Sequence, residues 1–219
     1  MFTGIIESLG TIRQAAMQKG DLRVEILAPD ILDDVAIGDS IACNGCCLTV
    51  VAFDTEGFVV ELSQESLAKT APRWRVGDSI NLERAMKASA RFGGHVVSGH
   101  VEARARVRSI DSQPGAHVIV VDAPEELAPF LLPKGSITVD GISLTLVDVG
   151  GPAGSRSDWP AQRFSLWIVP HTLAVTTLAG LQVGDEVNIE TDLFARYLQR
   201  MYALGALSPQ TTQTHETEV

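Results

Sequence analysis

The segment GDSIACNGCCLTVV, beginning at Gly38, returns 96 positions later as KGSITVDGISLTLV, beginning at Lys134. Ser40 answers to Ser136, Asn44 to Asp140, Gly45 to Gly141, Leu48 to Leu144 and Thr49 to Thr145. Four more pairs follow in the same order. FTGIIE from Phe2 matches VSGHVE from Val97, and LAPDIL around Pro29 matches DAPEEL around Pro124, both 95 positions apart. ESLAKTA from Glu65 matches HTLAVTT from His171 at 106, and VGDSINLE from Val76 matches VGDEVNIE from Val183 at 107. The step from 96 to 106 marks an insertion of about ten residues within VGGPAGSRSDWPAQR, whose Gly, Pro, Ser and Arg content reads as a loop joining two strands outside any pocket. Five segments in register identify a tandem duplication, which is the strongest single constraint on the fold. The expected boundaries are residues 1–97 and 98–191 for the two halves, 192–205 for a C-terminal helix and 206–219 for a disordered tail.

Each half reads as β-structure. SITVDGISLTLVDV alternates around an Asp-Gly turn signal, and FVVELS, RFSLWIV, HVIVVDA and EVNIET are short and rich in β-branched residues. About six short strands in fewer than 100 residues favour a small closed barrel, since closure removes exposed sheet edges. The expected class is therefore all-β, two six-stranded barrels in tandem. Helical signals are local. ESLAKTA and HTLAVTTLAG can each start a short helix, with Ser66 or Thr172 near the cap. DLFARYLQRMYALG spaces Leu193, Arg196, Tyr197, Arg200, Met201 and Leu204 helically, and Gly205 would stop it. A helix beyond two closed barrels has little of its own chain to pack on, so it is expected to serve self-association.

A net charge of −10 and a pI near 4.9 argue against nucleic acid or an anionic membrane as partner. No apolar run approaches the ~20 residues of a membrane span. MFTGIIESLG lacks the basic-then-apolar order of a secretory signal. Three cysteines crowded into five residues form no disulfide framework, and the expected compartment is the cytoplasm.

Cys43 and Cys46 have the Cys-x2-Cys spacing of a zinc knuckle, which His95 and His100 would complete. The repeat argues against it. Their counterparts are Val139 and Ile142, so both behave as buried apolar residues and no metal is expected. Cys47 differs, because its counterpart is Ser143. Residues two apart on a strand share a face, so Cys47 points with Thr49 and Ser143 with Thr145, away from the core. One small nucleophile-sized group and one hydroxyl per half suit a small polar ligand, although a plain solvent-facing strand would look the same. His95 and His100 flank Ser98-Gly99 in GGHVVSGHVE, and Gly4 and Gly99 are positions where backbone can approach a flat ligand. Asn44 and Asp140 read equally as turn formers or site residues. No phosphate loop, dinucleotide fingerprint or nucleophile elbow is present.

MFTGI, NGCCLTV, GGHVVSGHVE and DGISLTLV together resemble the riboflavin synthase (alpha chain) family, in order, over about residues 1–200. The resemblance implies paired six-stranded Greek-key barrels and a C-terminal helix in a homotrimer, with sites between the N-terminal barrel of one chain and the C-terminal barrel of its neighbour. It implies that two 6,7-dimethyl-8-ribityllumazine molecules dismutate, one passing a four-carbon unit to the other, to give riboflavin and 5-amino-6-ribitylaminouracil without a cofactor. Association with lumazine synthase belongs to the same implication. Carried across, the N-terminal pocket would use Gly4, Ile5, Ile6, Cys47, Leu48, Thr49, Glu61, Leu62, Ser63, Gln64, Glu65, Ser66, Gly99, His100 and Val101. The C-terminal pocket would use Lys134, Ser143, Leu144, Thr145, Trp167, Ile168, Val169, Pro170, His171 and Thr172. Phe2, Cys47, His95, His100, Asp140, Ser143 and Asp192 match positions linked to catalysis or ligand fixing. The family's PETL is PHTL here, which changes the ligand contacts expected of His171. The rival reading is a non-catalytic lumazine- or flavin-binding antenna protein of the same architecture, in which one half loses its pocket.

Overall fold

The computed structural model describes residues 1–206; the expected tail from residue 207 onward lies outside the described residues. The first half runs β1 (Ser8–Gln18), β2 (Asp21–Leu27), β3 (Ser40–Cys43), β4 (Cys46–Phe53), β5 (Gly57–Leu62), α1 (Gln64–Lys69) and β6 (Ser79–Arg84). The second runs β7 (Ala103–Gln113), β8 (Ala116–Asp122), β9 (Ser136–Val139), β10 (Ile142–Val149), β11 (Arg163–Ile168), α2 (Pro170–Val175) and β12 (Glu186–Thr191), followed by α3 (Leu193–Ala203). Each half closes into a six-stranded antiparallel barrel. The order is β1-β2-β5-β4-β3-β6 in one, and the same order advanced by six strands in the other. No described helix is long and apolar enough to cross a membrane.

Alternation sets the inside and outside of each barrel. Along β4, Cys46, Leu48 and Val50 are buried in the core with Cys43, while Cys47 is half-buried and Thr49 exposed. Both cysteines expected to be structural thus pack among aliphatics, and burial pushes the Cys46 thiol up to about 12 and the Cys43 thiol well above its ordinary value. In β10, Ile142 and Leu146 face the second core, with Ser143 half-buried and Thr145 exposed. The hairpins preceding these strands turn on Asn44-Gly45 and Asp140-Gly141, all four residues with positive φ (46°, 81°, 48° and 79°), as a two-residue type I′ turn requires.

The two turns meet at the seam between the barrels, around a local twofold. Asn44 Oδ1 accepts from Asn81 N and Asp140 Oδ1 from Asn188 N, each at 2.8 Å. The asparagine side chains then cross over: Asn81 Nδ2 donates to Asp140 O (3.0 Å) and Asn188 Nδ2 to Asn44 O (2.8 Å). Their side-chain oxygens accept from Thr177 N and Ala71 N. Asn81 and Asn188 thus use both the nitrogen and the oxygen of their side-chain amides, and a buried polar group so paired holds its geometry.

The helix caps differ from expectation. α1 is capped by Ser63, whose Oγ accepts from Ser66 N, so Ser66 lies inside the helix. α2 has Val169 at its cap position and begins on Pro170, which suits a first-turn residue whose missing N–H costs nothing. Gly205 does stop α3. It has φ 74°, its N–H reaches Tyr202 O, and Ala206 N reaches Met201 O, a Schellman closure. The inserted loop joins β10 to β11 as expected and is held by a bridge between Gly150 and Arg156, whose guanidinium stacks 4.5 Å from the Trp159 ring.

Candidate active site

Each barrel presents its outward polar strand to a lead segment from the other half. Ser143 N donates to Gly4 O at 2.7 Å, and Cys47 N donates to Gly99 O at 2.8 Å. Gly4 and Gly99 have φ near 80°, and a methyl on either would sit 2.6 Å from the Cβ of Ser143 or Cys47 respectively. Only glycine allows this approach. The lead segments also pair with each other, through reciprocal Phe2 and Val97 hydrogen bonds. Gly4 therefore meets Ser143, not Cys47 as expected, Ile6 packs on the second core, and Ile5 stays exposed beside Gly93. The two ends of the chain's repeats are crossed relative to the barrels they serve.

Each lead segment is tied by a buried carboxylate. Glu83, on β6, accepts from Thr3 N, Thr3 Oγ1 and Gly4 N at 2.7–2.9 Å. Glu190, on β12, accepts from Ser98 N and Oγ, Gly99 N and His100 N at 2.5–2.9 Å. Burial pushes the Glu83 carboxyl up, against the pull of the Thr3 and Gly4 donors. Neither glutamate was singled out from the sequence, nor were Asn81 and Asn188. The signal was there: NLE and NIE repeat in register, and residues two apart on a strand share a face.

At the second barrel, His95 Nδ1 lies 2.7 Å from Ser143 Oγ, while Nε2 has no hydrogen-bond partner among the described residues. Burial lowers the imidazole pKa, with Asp192 opposing, so His95 is neutral at pH 7. Thr145, Trp167, Val169, Pro170, His171 and Lys134 are exposed, and Thr172 is partly so. Ile168 is buried in the core, and Leu144 packs against it. At the first barrel, a cavity of about 440 Å³ is lined by Cys47, Glu65, Ser66, Lys69, His100 and Arg196, among others. Gly99 and Val101 also line it. Arg196 reaches it from α3, held 3.1 Å from Glu102, a contribution that helical spacing alone did not reveal. Glu61 is exposed and ion-paired to Arg23 at 2.8 Å; Ser63 caps α1 and Gln64 bonds to Gly20 O. Leu48 and Leu62 point into the core.

Phe2 and Asp140, matched to catalytic positions, have no exposed side-chain surface. Phe2 packs with Ala42 and Val97 behind Cys47, and Asp140 lies in the seam, so neither side chain offers a surface to a ligand. Asp192 caps α3, accepting from Phe194 N at 2.8 Å. Among the described residues no three His, Cys, Asp or Glu side chains are grouped to hold a metal.

Two closed barrels, each with a walled polar strand, define a tandem lumazine-binding-domain protein, and the comparisons agree. The lumazine binding domain profile matches residues 3–85 and 98–192. The riboflavin synthase of Photobacterium phosphoreum is 46% identical over 204 residues, 92% of this chain and 88% of that one. That of Bacillus subtilis (strain 168) is 39% identical over 201 residues, 91% and 89% of the two chains. LumP complexed with riboflavin superposes with a TM-score of 0.76 at 25% identity, covering 87% of this chain and 99% of that one. LumP complexed with 6,7-dimethyl-8-(1'-D-ribityl) lumazine shares the fold at 0.74 and 24%, with the same coverage. The chain belongs to the riboflavin synthase family.

Proposed function

We propose that this protein is a riboflavin synthase, converting two molecules of 6,7-dimethyl-8-ribityllumazine into riboflavin and 5-amino-6-ribitylaminouracil. The observation that carries the reading is the retention of the whole site apparatus in both halves: Gly4 with Glu83, Gly99 with Glu190, and an outward Ser143 or Cys47 under each. An antenna protein needs one such site; a dismutation needs two. Holding two reactants in a fixed mutual orientation can supply ~7–11 kcal/mol of the barrier. The lumazine methyl protons are acidic because their anion delocalises into the ring, so a neutral imidazole suffices as base. His95, hydrogen-bonded to Ser143, has that form in the second pocket, and His100 stands at the first. Identical substrates play unlike roles, which accords with a thiol in one pocket and a hydroxyl in its twin. Incubation with the lumazine alone is expected to yield one riboflavin for every two lumazines consumed, followed by absorbance. Tight binding without riboflavin would establish the antenna reading instead.

The same proposal includes a homotrimer in the cytoplasm, associated with lumazine synthase. Trimeric order is supported by the family resemblance, and self-association by α3, which leaves Phe194, Tyr197, Leu198, Met201 and Tyr202 exposed. Three free cysteines accord with a reducing compartment. Truncation before Asp192 is expected to shift the mass in light scattering from trimer to monomer; a surviving trimer removes α3 from the interface.

A further inference from the structure

The seam is twofold in its hydrogen bonds but not in its charge. Where the first half has Asn44, the second has Asp140, fully buried. Facing Asp140 across the seam is Arg73 of the first half, with Nη2 2.5 Å from Oδ1. The contact is a close ion pair without hydrogen-bond alignment, since Nε and Nη2 of Arg73 and Oδ2 of Asp140 have no hydrogen-bond partner among the described residues. The counterpart of Arg73 follows from the seam itself. Ala71 N and Thr177 N bind equivalent asparagines, which makes Ala179 the residue in Arg73's place. One side of the seam therefore carries Asp140 with Arg73, and the other Asn44 with Ala179.

We propose that Arg73 and Asp140 form a pairing key that restricts the first half to docking on the second and holds the Asp140-Gly141 turn, hence Ser143, in register. The counterfactual pairings show why. Two first halves docked through this seam would set each Arg73 against the neutral Asn44, leaving it only the carboxylates of the adjoining cavity and not the buried one it meets here. Two second halves would set each Asp140 against Ala179, a buried carboxylate without a cation. Only the mixed pairing sets the buried carboxylate directly against the guanidinium. A buried ion pair adds little net stability over an apolar replacement, but breaking it from one side is costly, and this asymmetry is what lets such a pair select a partner. Arg73 lines a separate cavity of about 290 Å³ with Leu9, Asp78, Ser79, Thr176 and Asp185, away from both pockets. It is a positioning residue that acts through Asp140 and the two residues, Gly141 and Ile142, that link Asp140 to Ser143.

The test uses the full chain as wild type, Arg73→Ala, Asp140→Asn, the double variant, and Arg73→Lys. Each single loss is expected to raise the unfolding constant in urea about 100-fold. The double variant reproduces the Asn44 and Ala179 side of the seam and is expected to recover most of that loss. With all chains folded by circular dichroism, Arg73→Ala lowers kcat more than it changes KM, and Arg73→Lys retains kcat. After refolding at high concentration, the double variant forms a concentration-dependent larger species by light scattering, joined through like halves, which wild type does not form. Additive losses in the double variant, wild-type stability in both singles, or no like-half species would each overturn the proposal. The stability and scattering arms need no substrate, so a chain inactive on the lumazine would refute the proposed function and still leave the key tested.

Discussion

Glu190→Ala is expected to cost ~3–5 kcal/mol of stability, because it strips a single acceptor from four donors. Ser98 N, Gly99 N and His100 N are backbone groups at the barrel seam, and no other acceptor is within their reach among the described contacts. Each buried donor left unmatched carries a desolvation penalty of about 1–3 kcal/mol, discounted here because the lead segment can relax toward water. The pocket should fail with the fold: His100 and Gly99 hang from this carboxylate, and Gly99 carries the carbonyl that receives Cys47 N. Urea unfolding gives the first quantity and lumazine titration the second. Glu190→Gln keeps one acceptor oxygen and should fall between. A Glu190→Ala midpoint within about 1 kcal/mol of wild type would mean the segment is held by packing on Phe2 and Cys47 alone.

The second large effect concerns chemistry. Ser143→Ala should lower kcat about 100-fold, the scale of losing one proton-transfer group, while shifting the unfolding midpoint little, since among the described residues the half-buried hydroxyl is bonded only to His95. The acid limb of kcat should lie below pH 6.5, because burial lowers the His95 pKa and keeps the imidazole neutral to lower pH. Stability follows the same sign. The unfolded chain binds the proton first as pH falls, so the fold weakens as pH drops below the ordinary histidine value toward the depressed one. An acid limb above pH 6.5 would remove His95 from the base role.

Much of this was legible in the residues because it is local or periodic. Asn44-Gly45 and Asp140-Gly141 announce type I′ turns by type alone. The outward aim of Cys47 and Ser143 follows from alternation once the repeat identifies Cys46 and Ile142 as core. The exchange of lead segments was not legible. A repeat makes each half look self-contained, and nothing in FTGIIE says that Gly4 will meet Ser143, 139 positions away, and not Cys47. The Arg73–Asp140 contact is hidden for a related reason. It exists where the repeat is broken, and alignment of the halves directs attention to what they share. The helix caps were missed by three residues in each case, since Ser63 and Ser66 are equally good cap residues by type and only the position of β5 decides between them.

The crossed lead segments describe a domain swap that has been made permanent. Each segment donates its N–H groups to the last strand of its own barrel and its glycine face to the other's site strand, so a half on its own would have to exchange arms with a second copy to complete a site. Joining the halves in one chain turns that bimolecular exchange into an intramolecular one, at an effective concentration of order millimolar set by a connection of residues 85–95. Site assembly then no longer depends on protein concentration for this step. The gain also frees the two halves to diverge, because a substitution such as serine for cysteine affects one site of the pair and not both.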